Sequence, residues 1–283
     1  MTNAAPGLDT PATLSEAALA VLLEPSAVGK VARTRAYGDA WSDRRLTEIG
    51  CAIPPARPAR PPRPQLCPPR DMPKRRKGGA AGRAAFVHAI AHIELNAIDL
   101  AWDIVARFTG EVLPQAFYDD WVSVALDEAE HFAMLSNRLA ELGYAYGDLP
   151  AHDGLWQAAT DTADDLLARL AVVPMILEAR GLDTTPDAVR RLSEAGDHET
   201  ATILETIGRE EIPHVAAGVR WFEFLCERRG REPVAAFHDL VRSRFNGVIK
   251  APFNHAARRA AGMAEPYYEV FAYIWTLVLQ FYE

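Results

Sequence analysis

The chain has 283 residues, of which 49% are hydrophobic and 24% charged, and its formal net charge at pH 7 is -8. This composition excludes a disordered or fibrous protein and predicts a globular one with a sizeable buried core. No apolar run approaches the roughly 18 to 20 residues of a membrane-spanning helix, and the first residues lack the pattern of a signal peptide. We therefore expect a cytoplasmic protein without a membrane partner. The three cysteines form no Cys-x-x-Cys pair and predict free thiols.

The N-terminal segment, residues 1–53, predicts two short amphipathic helices at about Thr13–Leu23 and Val28–Leu46. A proline-rich arm follows at 54–78, where the missing backbone donors disfavour both a helix and a central strand. Residues 57–83 carry nine Lys or Arg side chains against one acid, so the arm is strongly basic while the remainder of the chain is acidic. An extended basic arm is the resulting prediction.

This basic arm has two interpretations. Its cluster Lys74–Lys77 precedes a predicted long helix, whose free backbone donors would favour a phosphate, a carboxylate or a nucleic-acid backbone. However, the spacing is not that of a phosphate-binding loop, and aromatic residues suited to base stacking are missing. The pattern therefore favours pairing of the arm with the acidic remainder of the protein and leaves an anionic ligand open.

Four long helices are predicted after the arm, because apolar residues recur at spacings of three and four between Gly and Pro signals. They span about Gly79–Thr109, Pro114–Leu142, Leu155–Leu182 and Asp197–Arg229. Shorter helices are predicted near Thr185–Ala195, Val234–Phe245 and Tyr267–Tyr282. Alternating strand patterns are absent, so we predict an all-α fold with a helical domain at 79–230 and a helical extension at 231–283 that packs on it.

Each long helix places at least one acidic side chain inside its apolar stripe. Four ionised glutamates in a low-dielectric core would cost several kcal/mol each if unpaired. No Lys or Arg occupies these stripes, whereas two divalent cations would bring the cluster close to neutrality. The predicted metal ligands are Glu94, Glu128, His131, Glu178, Glu211 and His214.

The spacing of these residues supports the same conclusion. Glu128 with His131, and Glu211 with His214, are three residues apart and so lie on one face of a helix. Glu94 precedes the first pair by 34 residues and Glu178 precedes the second by 33, so one helical hairpin is repeated. One Glu from each of two helices and Glu-x-x-His from each of the other two is the ligand set of di-iron and di-manganese carboxylate bundles.

Four neighbouring residues favour structural roles. His92 falls on another face than Glu94 and His88 lies nearer the same side, and we interpret both as packing or hydrogen-bonding histidines. Pro174 and Pro213 each remove a backbone hydrogen bond and predict kinks, which either shape the metal cavity or have no role in it.

The ligand pattern resembles that of the ferritin-like di-iron carboxylate superfamily over about Gly79–Arg229. The motifs His88–Glu94, Asp127–His131 and Lys250–Asn254 are most similar to those of an uncharacterised bacterial branch, a family of unknown function, and that likeness covers nearly the whole chain. The resemblance implies a ferritin-like four-helix bundle with additional N- and C-terminal helices and a Pro-rich arm.

The resemblance also implies that two acids lie beside the metal ligands and orient them. Asp127 and Glu210 each directly precede the glutamate of a Glu-x-x-His pair. In related monooxygenases an acid at this position orients a metal-bound histidine. Glu210 departs from the usual aspartate, and two solvated helix acids are the alternative.

Carboxylates and imidazoles suit iron or manganese, so the expected cofactors are two iron ions, with manganese or a mixed Fe/Mn pair as alternatives. The resemblance implies an oxidoreductase that uses O2 to oxidise or hydroxylate an unidentified small or anionic organic substrate, with an unidentified electron donor. The alternative is ferritin- or rubrerythrin-like iron handling or peroxide removal, against which stand the long terminal segments and the missing Cys-x-x-Cys centre. A metal-stabilised scaffold is a third class. The sequence leaves a tRNA substrate open without favouring it, and leaves a homodimer open.

Overall fold

The structure, a computed structural model, describes residues 10–68, 71–72 and 79–280, for residues 273–280 in backbone only. Within these ranges the chain is helical, with one isolated bridge between Leu66 and Ala151 and no strand, which confirms the all-α prediction. The helices are α1 Leu14–Leu22, α2 Ala27–Ser42, α3 Gly79–Arg107, α4 Gln115–Glu141, α5 Gly154–Asp161, α6 Leu166–Val172, a π-helix Val173–Glu178, α7 Ala179–Glu194, α8 His198–Arg228, α9 Pro233–Arg244, α10 His255–Ala260 and α11 Glu265–Gln280.

The chain divides into two compact units, the first ending at Trp156 and the second beginning at Gln157. The first unit is built on the hairpin of α3 and α4, with α1 packed on α3 and α2 packed on α4. Thr13 begins α1 with a capping box, and Ser26 caps α2, so both short helices start where a side-chain oxygen accepts from a free backbone N–H. The predicted N-terminal helices therefore belong to the same unit as the first long hairpin.

Helix α3 is buried on every side over much of its length, because three other helices of its unit contact it. Every residue from Glu94 to Ala106 is buried, whereas the preceding residue, Ile93, is 45% exposed. By length and composition α3 could cross a membrane, but 72% of its apolar window is buried inside the structure. That burial is consistent with a core helix of a soluble protein, and the cytoplasmic location stays a prediction.

The described part of the basic arm packs on the first unit. Arg57 forms an ion pair with Asp153, and Arg60 Nη2 lies 3.2 Å from an Asp99 carboxylate oxygen. The arm also contributes backbone acceptors, since the Ala56 carbonyl accepts from the Trp156 indole N–H. These contacts support the pairing interpretation for Arg57 and Arg60. The cluster Lys74–Lys77, on which the anion-binding alternative depends, lies outside the described residues.

In the second unit, the prediction of one continuous helix over Leu155–Leu182 is wrong. α5 ends at Asp161, and Asp165 then caps α6 by accepting from the Leu167 N–H. The buried Arg169 fixes this break, because its guanidinium donates to the Thr162 hydroxyl and the Ala159 carbonyl at 2.9 and 2.6 Å. The break therefore depends on a polar network that the apolar spacing does not reveal.

The prediction of a separate helix at Thr185–Ala195 is also wrong, because α7 continues through Pro186. Proline cannot donate to the carbonyl four residues before it. That carbonyl, of Leu182, instead accepts from the Asn254 side-chain amide at 3.1 Å. The segment Lys250–Asn254 thus satisfies the backbone group that Pro186 leaves open.

Between α6 and α7 the chain forms a π-helix that begins around Pro174. A Cβ added at Gly218 of α8 would stand 2.5 Å from the Pro174 Cβ, so only glycine allows this approach. The kink predicted at Pro174 stays a prediction, and what the structure shows there is a change in helical repeat. The C-terminal helices α9 and α10 pack on α8, and α11 packs on α9.

Candidate metal centre

The first unit brings three of the predicted ligands together. Glu94 on α3 is 3% exposed, and Glu128 and His131 on α4 are fully buried. His131 Nδ1 lies 3.4 Å from both Glu94 Oε2 and Glu128 Oε2. Two carboxylates and an imidazole from facing helices thus converge on one point in the core.

The second unit repeats this pattern on α8. Glu211 and His214 are 8% and 1% exposed, and His214 Nδ1 lies 3.4 Å from Glu211 Oε2. Glu178 is the last residue of the π-helix and is partly exposed. The i, i+3 geometry predicted for both Glu-x-x-His pairs is therefore present in each unit.

Within the first unit, Glu94, Glu128 and His131 form a buried group that could hold a metal ion. The other three predicted ligands, Glu178, Glu211 and His214, belong to the second unit. A π-helix closes its hydrogen bonds over five residues instead of four. The residue that ends it therefore lies on a different face of the helix from the one that an α-helical repeat predicts. The position of Glu178 could therefore not be read from an α-helical repeat, and the full set of six ligands stays a prediction.

The electrostatics of His131 depend on its two carboxylate neighbours. Burial favours its neutral form, but the carboxylates of Glu128 and Glu94 outweigh this effect and raise its pKa to about 11. The two carboxyl groups therefore favour the imidazolium form of His131 when no metal is bound. A metal ion would have to displace this proton, since imidazole binds metal only when neutral.

Asp127 and Glu210, the two acids predicted to orient metal-bound histidines, are both partly exposed. Glu210 Oε1 lies 3.3 Å from the Arg209 guanidinium, and the Glu210 side chain is 37% exposed. Their role in orienting a metal-bound histidine stays a prediction.

The interpretation of His88 and His92 as packing and hydrogen-bonding residues is confirmed. His88 Nε2 accepts from the Gly147 N–H at 3.0 Å, and the His92 ring bonds to the Tyr146 hydroxyl at 2.9 Å and to the His152 carbonyl at 3.1 Å. Tyr146 stacks on His88 with a centroid distance of 5.3 Å. Tyr146 lies in the loop after α4, where no periodic pattern could have indicated its role.

This cluster predicts a loss of stability in acid. Burial, and secondarily the charge of Arg60, lowers the pKa of His92 from 6.5 to about 4. As the pH is lowered, His92 is therefore protonated near pH 6.5 in the unfolded chain but only near pH 4 in the folded protein. We expect the free energy of unfolding to fall by about 3 kcal/mol over this window as the pH is lowered.

Urea denaturation of the wild type and of His92→Gln at pH 7 and pH 4.5 measures this contribution. The variant should lose less stability between the two pH values than the wild type. Replacement of the exposed His198 by Gln is the control and should keep the wild-type dependence. Equal pH dependence in wild type and His92→Gln would contradict the prediction.

Comparison with known proteins identifies a matching family and a similar protein, and the description of neither names an activity. A family model described as "Protein of unknown function (DUF455)" matches residues 23–269. An uncharacterized protein of Haemophilus influenzae is 42% identical over 212 residues, which cover 72% of this chain and 73% of that protein. No solved structure matches the chain.

Proposed function

The chain belongs to the family described as protein of unknown function (DUF455). We propose that this protein is a di-metal carboxylate oxidoreductase. The reaction class is O2-dependent oxidation or hydroxylation of an organic substrate. The ferritin-like four-helix arrangement is part of the same proposal. It combines the hairpin of α3 and α4 with the helices that carry Glu178 and Glu211.

The observation that carries the proposal is the buried group Glu94, Glu128 and His131 of the first unit. The two carboxylates in this core repel one another and lose their hydration, and a divalent cation offsets both costs. The donor chemistry fits iron or manganese, because the group contains carboxylate oxygens and imidazole nitrogen and no thiolate. All three described cysteines are free thiols outside the group.

A pair of iron ions, when bound, would supply the electrons and the open coordination positions for reaction with O2. The protein holds and shields that pair. Glu94, Glu128 and Glu211 would supply carboxylate ligands, and His131 would release its proton to become a neutral ligand. Because the residues of α3 from Glu94 to Ala106 are all buried, this wall of the site excludes bulk water.

Glu178 and His214 would complete the ligand set for a second ion. His214 already lies beside Glu211, and both belong to α8. The π-helix that ends at Glu178 supports a functional role for this residue, since short π-helical segments inside α-helices are frequent at functional sites.

Oxygen consumption tests the proposal. The metal-free full chain is loaded with two equivalents of Fe(II) without air, mixed with air-saturated buffer, and followed with an oxygen electrode and by light scattering. We expect rapid O2 uptake that stops at a fixed ratio to protein, with no mineral formed. Uptake that continues with added Fe(II) and produces scattering particles would indicate iron storage instead. Absence of uptake above that of free Fe(II) would indicate a scaffold.

A further inference from the structure

A cavity of about 70 Å3 lies in the second unit, formed by the π-helix, α7 and the segment from Phe245 to Tyr268. A water molecule needs roughly 10 to 15 Å3 of such space, so the cavity has room for a ligand of about five to seven non-hydrogen atoms. Its walls are mostly apolar and include Met175, Leu177, Phe245 and Phe253. None of these residues belongs to the candidate metal group.

The charged side chains of this cavity are predominantly basic. Arg180, Lys250 and Arg258 line it together with a single acid, Asp183. Arg258 already neutralises Asp183, because its Nε and Nη2 donate to the two carboxylate oxygens at 2.9 and 2.7 Å. Two positive charges, on Arg180 and Lys250, therefore remain in a protein whose net charge is -8.

Arg180 is held in place by its surroundings but keeps donors for a ligand. Its Nη1 donates to the Lys250 and Pro252 carbonyls at 2.9 and 3.3 Å and lies 3.4 Å from Asp183 Oδ2. Within the described chain all hydrogen bonds of this side chain use Nη1, which leaves Nε and Nη2 free to donate. An arginine fixed in this way can bind a carboxylate through two parallel N–H donors.

We propose that this cavity binds a small organic carboxylate. Its carboxylate group bonds to Arg180 beside the positive charge of Lys250, and its hydrocarbon part packs against Met175, Phe245 and Phe253. An apolar pocket with a few convergent polar groups is the usual form of a small-molecule site. None of the residues that line the cavity is a proposed metal ligand, so the proposal does not depend on the metal centre.

Isothermal titration of the full-length, metal-free chain with butyrate tests the proposal. Butyrate has six non-hydrogen atoms and fits the cavity volume, and we expect a dissociation constant of about 1 mM or below. Butyramide has the same shape without the charge and should bind at least about tenfold more weakly, as should inorganic phosphate, which lacks the apolar part. Equal binding of butyramide or of phosphate would overturn the proposal, and so would no detectable butyrate binding.

Variants locate the site. Arg180→Gln should weaken butyrate binding by about tenfold or more, whereas Arg190→Gln, an exposed arginine of the same helix, should leave it unchanged. Arg180→Gln also removes the hydrogen bonds to the Lys250 and Pro252 carbonyls. A second pair of variants, at Val248, leaves these hydrogen bonds in place. Val248 lines the cavity and is 43% exposed, so Val248→Glu should repel butyrate while Val248→Gln should not.

Two outcomes separate this proposal from the metal proposal. Butyrate binding that survives in Glu128→Ala supports the cavity, since that variant disables the candidate metal group alone. Binding that is lost in Glu128→Ala but retained in Val248→Glu would place the carboxylate elsewhere and overturn the proposal.

Discussion

Replacing Glu128 by alanine is expected to lower the affinity of the protein for Fe(II) by roughly 100-fold or more. Glu128 is fully buried, and its carboxylate lies 3.4 Å from the His131 ring nitrogen. The substitution removes one proposed ligand and also a carboxylate neighbour of His131. Anaerobic titration of the metal-free protein with Fe(II), followed by elemental analysis after gel filtration, measures the effect.

Glu130 provides the matched control, because it lies on the same helix and its side chain is 55% exposed. Glu130 pairs with Arg35 at the surface, so Glu130→Ala should bind iron as the wild type does. If Glu128→Ala and Glu130→Ala retain the same iron, the buried acids do not form a metal site and the proposed oxidoreductase chemistry is wrong. Thermal unfolding of both variants verifies that the fold is kept.

The second large effect is expected from the buried pair of Lys30 and Asp99. Lys30 Nζ lies 2.6 Å from Asp99 Oδ1, both side chains are fully buried, and Lys30 also donates to the Val21 carbonyl at 2.9 Å. Burial lowers the pKa of Lys30 and raises that of Asp99, so each group depends on the other for its charge. Lys30→Met should destabilise the protein by about 3 to 5 kcal/mol, because it leaves a buried carboxylate with Arg60 as its remaining described partner.

Urea denaturation at pH 7 measures this loss against Arg35→Met. Arg35 lies on the same helix, and its ion pair is exposed, so its replacement should cost less than about 1 kcal/mol. The double variant Lys30→Met with Asp99→Leu should recover part of the stability, since it removes the stranded charge. Equal losses in Lys30→Met and Arg35→Met would show that the pair does not anchor α2 to α3.

Tertiary structure corrected the sequence prediction mainly in the third long helix. Apolar spacing over Leu155–Leu182 is compatible with one helix, but the hydrogen bonds of Arg169 to Thr162 and Ala159 break it. Conversely, Pro186 indicates a helix boundary that does not exist, because Asn254 satisfies the freed carbonyl of Leu182. Both corrections depend on polar partners seven or more residues away along the chain, which periodicity does not report.

The sequence by itself indicated that Glu94, Glu128 and Glu211 are buried and that each Glu-x-x-His pair shares a helix face. Those properties follow from the 3.6-residue repeat and from the cost of burying charge, which are local. Only the tertiary structure decided that Glu94 joins Glu128 and His131, that Glu178 ends a π-helix, and that Arg180 faces a cavity. These features arise where helices pack, and packing depends on side chains that are far apart in the sequence.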